Sequence, residues 1–258
     1  MITVTTGELE MWMAQYLWPF VRIGACIMVA PVFGAIFVPP RFKIALSGAI
    51  AMLVAPLISV PGDVSPLSAE GIMITAQQVL IGVSTGFILQ LIFDSLAMAG
   101  QLLSNSMGLS FAFNIDPQRG ASTPVVGQLY MMLVILTFLA LNGHLRLLET
   151  LTAGFTTMPI GVRSFDENAL WQIVGWGRQL FDGALAVALP GMTALLVVNL
   201  GFGVMSRAAP SLNMFAVGFP ITVVFGLVIV MLGLPAVQTS FTALFDESLR
   251  LVRTLMGG

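Results

Sequence analysis

At 258 residues the chain is long enough for one or two domains, but 57% hydrophobic against 9% charged residues leaves too few charges to cover a water-exposed surface, which excludes an ordinary soluble globule. Ten basic and twelve acidic residues, net −2, are spread thinly, which excludes a basic face for nucleic acid and an acidic tail. The single cysteine, Cys26, lies in an apolar run, so an intrachain disulfide is impossible and a thiolate metal site is not expected.

The opening MITVTTGELE carries acids and no Lys or Arg, unlike the positive leading region of a cleavable signal peptide, so the first apolar stretch is expected to be retained. Apolar runs, charge-free except for Arg22 in the first, then mark helices able to span a bilayer, at about 11–38, 44–60, 71–93, 124–145, 183–206 and 211–234, with a less apolar run at 95–115. Hydropathy alone gives about six spans, an all-α, integral membrane helical protein. Met-rich and Gly-rich composition suits packed helices, because Met fills irregular gaps and Gly admits close backbone approach.

Arg22 interrupts the first run, where an isolated charge costs about 2.5–3.5 kcal/mol or more. It either snorkels to an interface or meets an acid or backbone carbonyls of a neighbouring subunit; the second is the preferred expectation. Arg41 and Lys43 form the densest basic pair and place that loop in the cytoplasm, with the chain start and the loop holding Asp63 and Glu70 outside. Simple alternation then leaves Arg250 and Arg253 outside, against the rule, so at least one segment is expected not to cross cleanly.

Gly82 and Gly86 form a GxxxG pair that would admit a close neighbour. Beyond it, Gly86, Gln90, Asp94, Ala97, Gln101, Ser104, Asn105 and Gly108 fall within roughly 100° of a helix surface. In lipid such a small and polar stripe must face a helix of the same chain, another subunit, or a watery channel. The run MGLSFAFNIDPQRG follows, with Met107, Leu109, Phe111 and Phe113 alternating before a turn at Asp116 and Pro117. Either the loop packs simply, or it inserts its apolar edge into a cavity.

Pro31, Pro56, Pro190, Pro220 and Pro235 sit inside or at the ends of apolar runs, giving Pro/Gly-broken helical hairpins. From Ala208 to Phe245 the chain is charge-free, roughly 57 Å as one helix, so it is expected to bend into at least two pieces at Pro220 and Pro235. His144 is the only histidine and follows Asn142 and Gly143, a helix end or tight turn; a structural role is expected. P-loop, zinc-protease and dinucleotide motifs are absent from the sequence, so no enzyme activity, cofactor or metal is expected.

Taken together, QLLSNSMGLSFAFNIDPQ, FLALNGHLRLL, TTMPIG and LPGMTALLVVNLGFGVMSRAAPSLNMFAVGFPIT resemble the FliR family, as do WPFVRIGACIMVAPVFG and QQVLIGVSTGFILQ, in family order from about Trp18 to Met231. The resemblance implies a subunit of the flagellar type III protein-export gate, assembled with FliP and FliQ in the bacterial inner membrane within the basal body, with FlhB and FlhA nearby. It also implies a FliP-like part at 1–180 followed by a FliQ-like hairpin at 181–258. The family's plug corresponds to 107–120, which resolves the loop in favour of a gate: Met107, Leu109, Phe111 and Phe113 would close the pore until unfolded export substrates displace them. A secondary transporter or small ion channel is the alternative, but the paired inverted halves such folds use are not found in the sequence.

Overall fold

The computed structural model describes residues 6–61, 64–109, 125–161, 165–208 and 214–257. Eight α-helices and no strands lie among them. They are α1 (Thr6–Val29), α2 (Pro40–Val54) continued by a 3-10 turn at Ala55–Leu57, α3 (Ala69–Ser106), α4 (Val125–Ala140), α5 (Gly143–Thr157), α6 (Glu167–Trp176), α7 (Gln179–Ala208) and α8 (Met214–Leu255). The all-helical expectation holds, for a reason the bilayer supplies: only a helix satisfies every backbone group within its own segment.

Four segments are long and apolar enough to cross a membrane: Pro40–Leu57, Ala69–Ser106, Glu167–Ala208 and Gly218–Leu255. A fifth is available if α4 and α5 count as one broken span. The expected first span at 11–38 is not among them. Its helix stops at Val29, and residues 30–39 form turns around Pro31 and a left-handed Val32. The junction of α4 and α5 is Asn142, also left-handed (φ 53°), whose carbonyl accepts from both Leu145 and Arg146.

The expected bends in the last apolar run are not found as helix ends. α8 continues through Pro220 and Pro235 for 42 residues, and α7 likewise continues through Pro190. Each proline removes a donor, a loss of about 3 kcal/mol in an isolated helix, and all three lie on the exposed side of a helix that carries on through them.

The chain divides into two compact units interleaved in sequence. The first comprises residues 1–90, 142–177 and 246–258. Here α1 crosses the first half of α3 on the GxxxG pair: a Cβ on Gly82 would collide with the Arg22 carbonyl, and one on Gly86 would lie 2.8 Å from the Cys26 carbonyl. Two indoles brace the same helix, Trp18 Nε1 donating to Thr75 Oγ1 (3.1 Å) and Trp176 Nε1 to the Ile88 carbonyl (3.1 Å). The Gln15 amide donates to the Ala55 and Ile58 carbonyls and so ties α1 to the end of α2.

The second unit comprises residues 91–141 and 178–245. Its core is a quartet of buried aromatic rings on α3, α4 and α8. Phe93 meets Phe138 and Phe241 edge-on at 5.5 and 5.4 Å, Phe138 meets Phe245 edge-on at 5.5 Å, and Phe241 stacks on Phe245 at 5.8 Å. Edge-to-face pairs add about 0.5–1.5 kcal/mol each beyond buried area. α3 and α4 touch backbone to backbone, since a Cβ on Gly100 would sit 2.7 Å from the Gly127 Cα.

Candidate functional site

α3 carries the candidate surface. At 38 residues and 1.5 Å per residue it is about 57 Å long, and most of its circumference is covered by the chain's own helices. One row at spacings of three and four stays open. In its first half the row is apolar: Ile72, Met73, Val79, Leu80, Val83 and Phe87 are exposed. From Gln90 onward it turns polar. Gln90, Asp94 and Ala97 are half-buried and Gln101 and Asn105 exposed, while Ile92, Phe93, Leu96, Ala99 and Leu103 on the other side are buried.

The stripe read from the sequence is thus the less covered side of the helix, half-buried at Gln90, Asp94 and Ala97 and exposed at Gln101 and Asn105. Gly86 and Ser104 are the buried edge members, and Gly108 is half-buried. Gln90 and Asp94 each have an interaction partner in the chain. Polarity at helical spacing revealed the stripe; which helices cover the rest of α3 is a tertiary fact.

At the end of α3, Met107 is buried and Leu109 half-buried. Within the second unit the Met107 thioether occupies the space beside Gly226 on α8, where a Cβ would lie 2.7 Å from Sδ. Close by, Asn199 Nδ2 on α7 donates to the Ser106 carbonyl (3.4 Å), and Thr222 Oγ1 on α8 donates to Asn199 Oδ1 (3.3 Å). The last turn of α3 is therefore held from two helices. Phe111, Phe113, Asp116 and Pro117, the remaining expected plug residues, lie outside the described residues.

Arg22 corrects its expectation. Its side chain is fully buried in the first unit, where Nε donates to Gln78 Oε1 (2.7 Å) and the two terminal nitrogens to the carbonyls of Gly154 (3.2 Å) and Met158 (3.0 Å), with the guanidinium 4.3 Å above the Phe155 ring. It neither snorkels nor requires an acid or a neighbouring subunit. The carbonyls it meets are those at the end of α5, which carry the partial negative charge of a helix C-terminus. Gln78 gave no signal in the sequence.

His144 is half-buried on the first turn of α5, as its place after Asn142 and Gly143 led one to expect. Cys26 is buried. Among the described residues no group of three His, Cys, Asp or Glu side chains is placed to hold a metal. The second unit contains an open apolar cavity of about 290 Å³, lined among others by Leu103, Tyr130, Pro190, Gly191 and Gly233.

Comparison with known proteins decides the family. Residues 13–248 match the family described as bacterial export proteins, family 1. The flagellar biosynthetic protein FliR of Pectobacterium carotovorum subsp. carotovorum is 38% identical over 257 residues, covering 99% of this chain and 98% of that protein. The chain belongs to the FliR family. FliR of Escherichia coli strain K12 is 35% identical over the same shares of both chains, and FliR of Bacillus subtilis strain 168 is 25% identical over 93% of this chain and 94% of its own length. The family match reaches beyond Trp18 and Met231 at both ends, so most of α1 and most of α8 belong to the FliR-like region. With several helices able to span a bilayer, this member of the FliR family is a helical membrane protein of flagellar biosynthesis.

Proposed function

We propose that this chain is one subunit of the flagellar type III export gate, seated in the bacterial inner membrane at the flagellar basal body and assembled with FliP and FliQ homologues, FlhB and FlhA lying near. The observation that carries the reading is the open polar row of α3, Gln90 to Asn105, leading directly to Met107. A polar row that its own chain covers only in part, exposed at Gln101 and Asn105, needs partner subunits or a water-filled path when set in a membrane protein. The FliP-like division at 1–180 and the FliQ-like hairpin at 181–258 belong to the same reading; the break between α6 and α7 falls near that boundary.

The gate works passively. The loop that leaves the buried Met107 and runs to residue 120 fills the lumen, its Phe side chains exclude water, and an unfolded export substrate displaces them. A dry apolar constriction stops ions by dewetting. Energy comes from other subunits, and this chain needs no cofactor.

Replacing Phe111 and Phe113 with Ser tests the closure. Ion leak through the membrane is expected to rise while the amount of intact complex stays the same. Unchanged conductance with intact assembly would remove the plug role, and loss of the complex would show the loop to be structural. Copurification from detergent-solubilised membrane tests the partners, and FliP and FliQ homologues are the expected companions. A monodisperse, protease-resistant monomer produced without them would count against the gate.

A further inference from the structure

The turn between α1 and α2 is built rigidly yet presents bare apolar side chains. Ile36 is fully exposed and Phe37 is 79% exposed, and Phe42 and Ile44 continue the patch into α2. Beneath them the backbone is fixed. Val32 is held at φ 69°, a strained conformation for a β-branched residue, and the Gly34 amide donates to the Ala30 carbonyl at 2.7 Å. A Cβ on Gly34 would lie 2.6 Å from the Met28 carbonyl, so the turn admits glycine there. Lys43 Nζ donates to the Gly34 carbonyl at 2.8 Å, which ties the base of the turn to α2.

Charge singles out the occupant. No Asp or Glu occurs between Met11 and Gly62. Arg41 stands exposed on the first turn of α2, while the neighbouring cation of Lys43 is already committed to Gly34. Length agrees. The candidate span Pro40–Leu57 has 18 residues, about 27 Å of helix against a hydrocarbon core of about 30 Å. A span that short needs apolar residues flanking it, and Ile36 and Phe37 come immediately before it.

We propose that residues 36–41 form an interfacial anchor, with Ile36 and Phe37 inserted below the headgroups of an anionic bilayer leaflet and Arg41 held by the net negative charge of those headgroups. The tip completes the hydrophobic length that α2 lacks, and the arginine supplies the charge that anionic headgroups attract. The anchor is independent of the plug, so its failure would leave the gate reading untouched.

Cys26 is the only cysteine of the chain and is buried, so a nitroxide on Ile36→Cys or Phe37→Cys reports the tip. The assembly that purifies with this chain is placed in nanodiscs, the parent assembly serving as the labelling blank. The label is expected to meet oxygen more readily than a water-soluble nickel chelate, at a depth about 5–10 Å below the phosphates. In anionic nanodiscs Arg41→Glu is expected to raise access by nickel, and in zwitterionic ones to leave it unchanged. Ready access by nickel in the parent arrangement would place the tip in water and overturn the anchor. Shielding from both reagents would show a protein partner covering it and would overturn the anchor too. No response to Arg41→Glu in anionic lipid would overturn the headgroup contact.

Discussion

Arg22 Nε donates to Gln78 Oε1 at 2.7 Å, and both side chains are fully buried. The same guanidinium reaches Gly154 and Met158, 132 and 136 residues further along the chain. One cation therefore fastens α1, α3 and the end of α5 within the first unit. The burial is tolerated because five fixed donors meet a side-chain amide, two helix-end carbonyls and an aromatic face.

Arg22→Ala is expected to cost about 3–5 kcal/mol, because it removes the donors that serve buried Gln78 and two helix-end carbonyls and leaves a void among three helices. Arg22→Lys should recover only part, since a point ammonium cannot reproduce the planar fork. Thermal unfolding of the assembled complex gives the ranking, and equal melting temperatures for all three forms would contradict it.

Gly226 and Met107 predict a size-swap rescue. Gly226→Ala places a methyl where the thioether lies and should destabilise by about 1–3 kcal/mol. Adding Met107→Ala should return part of that loss, with a coupling of about 0.5–3 kcal/mol. Additive losses in the double variant would show the two sites to be independent.

On the open face of α3, Asp94→Leu and Gln101→Leu are each expected to weaken assembly or export while membrane insertion continues. Motility, complex yield on native gels and membrane fractionation separate these steps. Normal assembly and export in both variants would deprive the stripe of functional meaning.

The Arg146–Asp246 ion pair makes the opposite forecast. It is 2.8 Å long, but its side chains are 37% and 44% exposed, so solvent screens it. Arg146→Ala should cost under about 1 kcal/mol, and a drop comparable to that of Arg22→Ala would show that the pair lies far drier in the assembly.

Several features were legible before any coordinates. Scarcity of charge placed the chain in the membrane, because a water-facing surface needs polar cover whatever the fold. The stripe from Gln90 to Asn105 was visible because a helix repeats every 3.6 residues, so its polar side could be drawn without knowing the neighbours. The Gly82–Gly86 pair pointed to a close helix approach, and ordered motifs along most of the chain gave the family.

Tertiary packing decided the rest. The prolines of α8 suggested breaks because a local rule weighs the lost hydrogen bond, yet the helix runs on through both of them for 42 residues. Phe241 and Phe245 sit one turn apart in sequence, yet the quartet they form needs Phe93 and Phe138 from two other helices. Arg22 appeared to want another subunit because its partners are more than fifty residues away in its own chain. Sequence periodicity reports which side of a helix is polar, whereas what covers that side depends on contacts between distant segments, which no local pattern encodes.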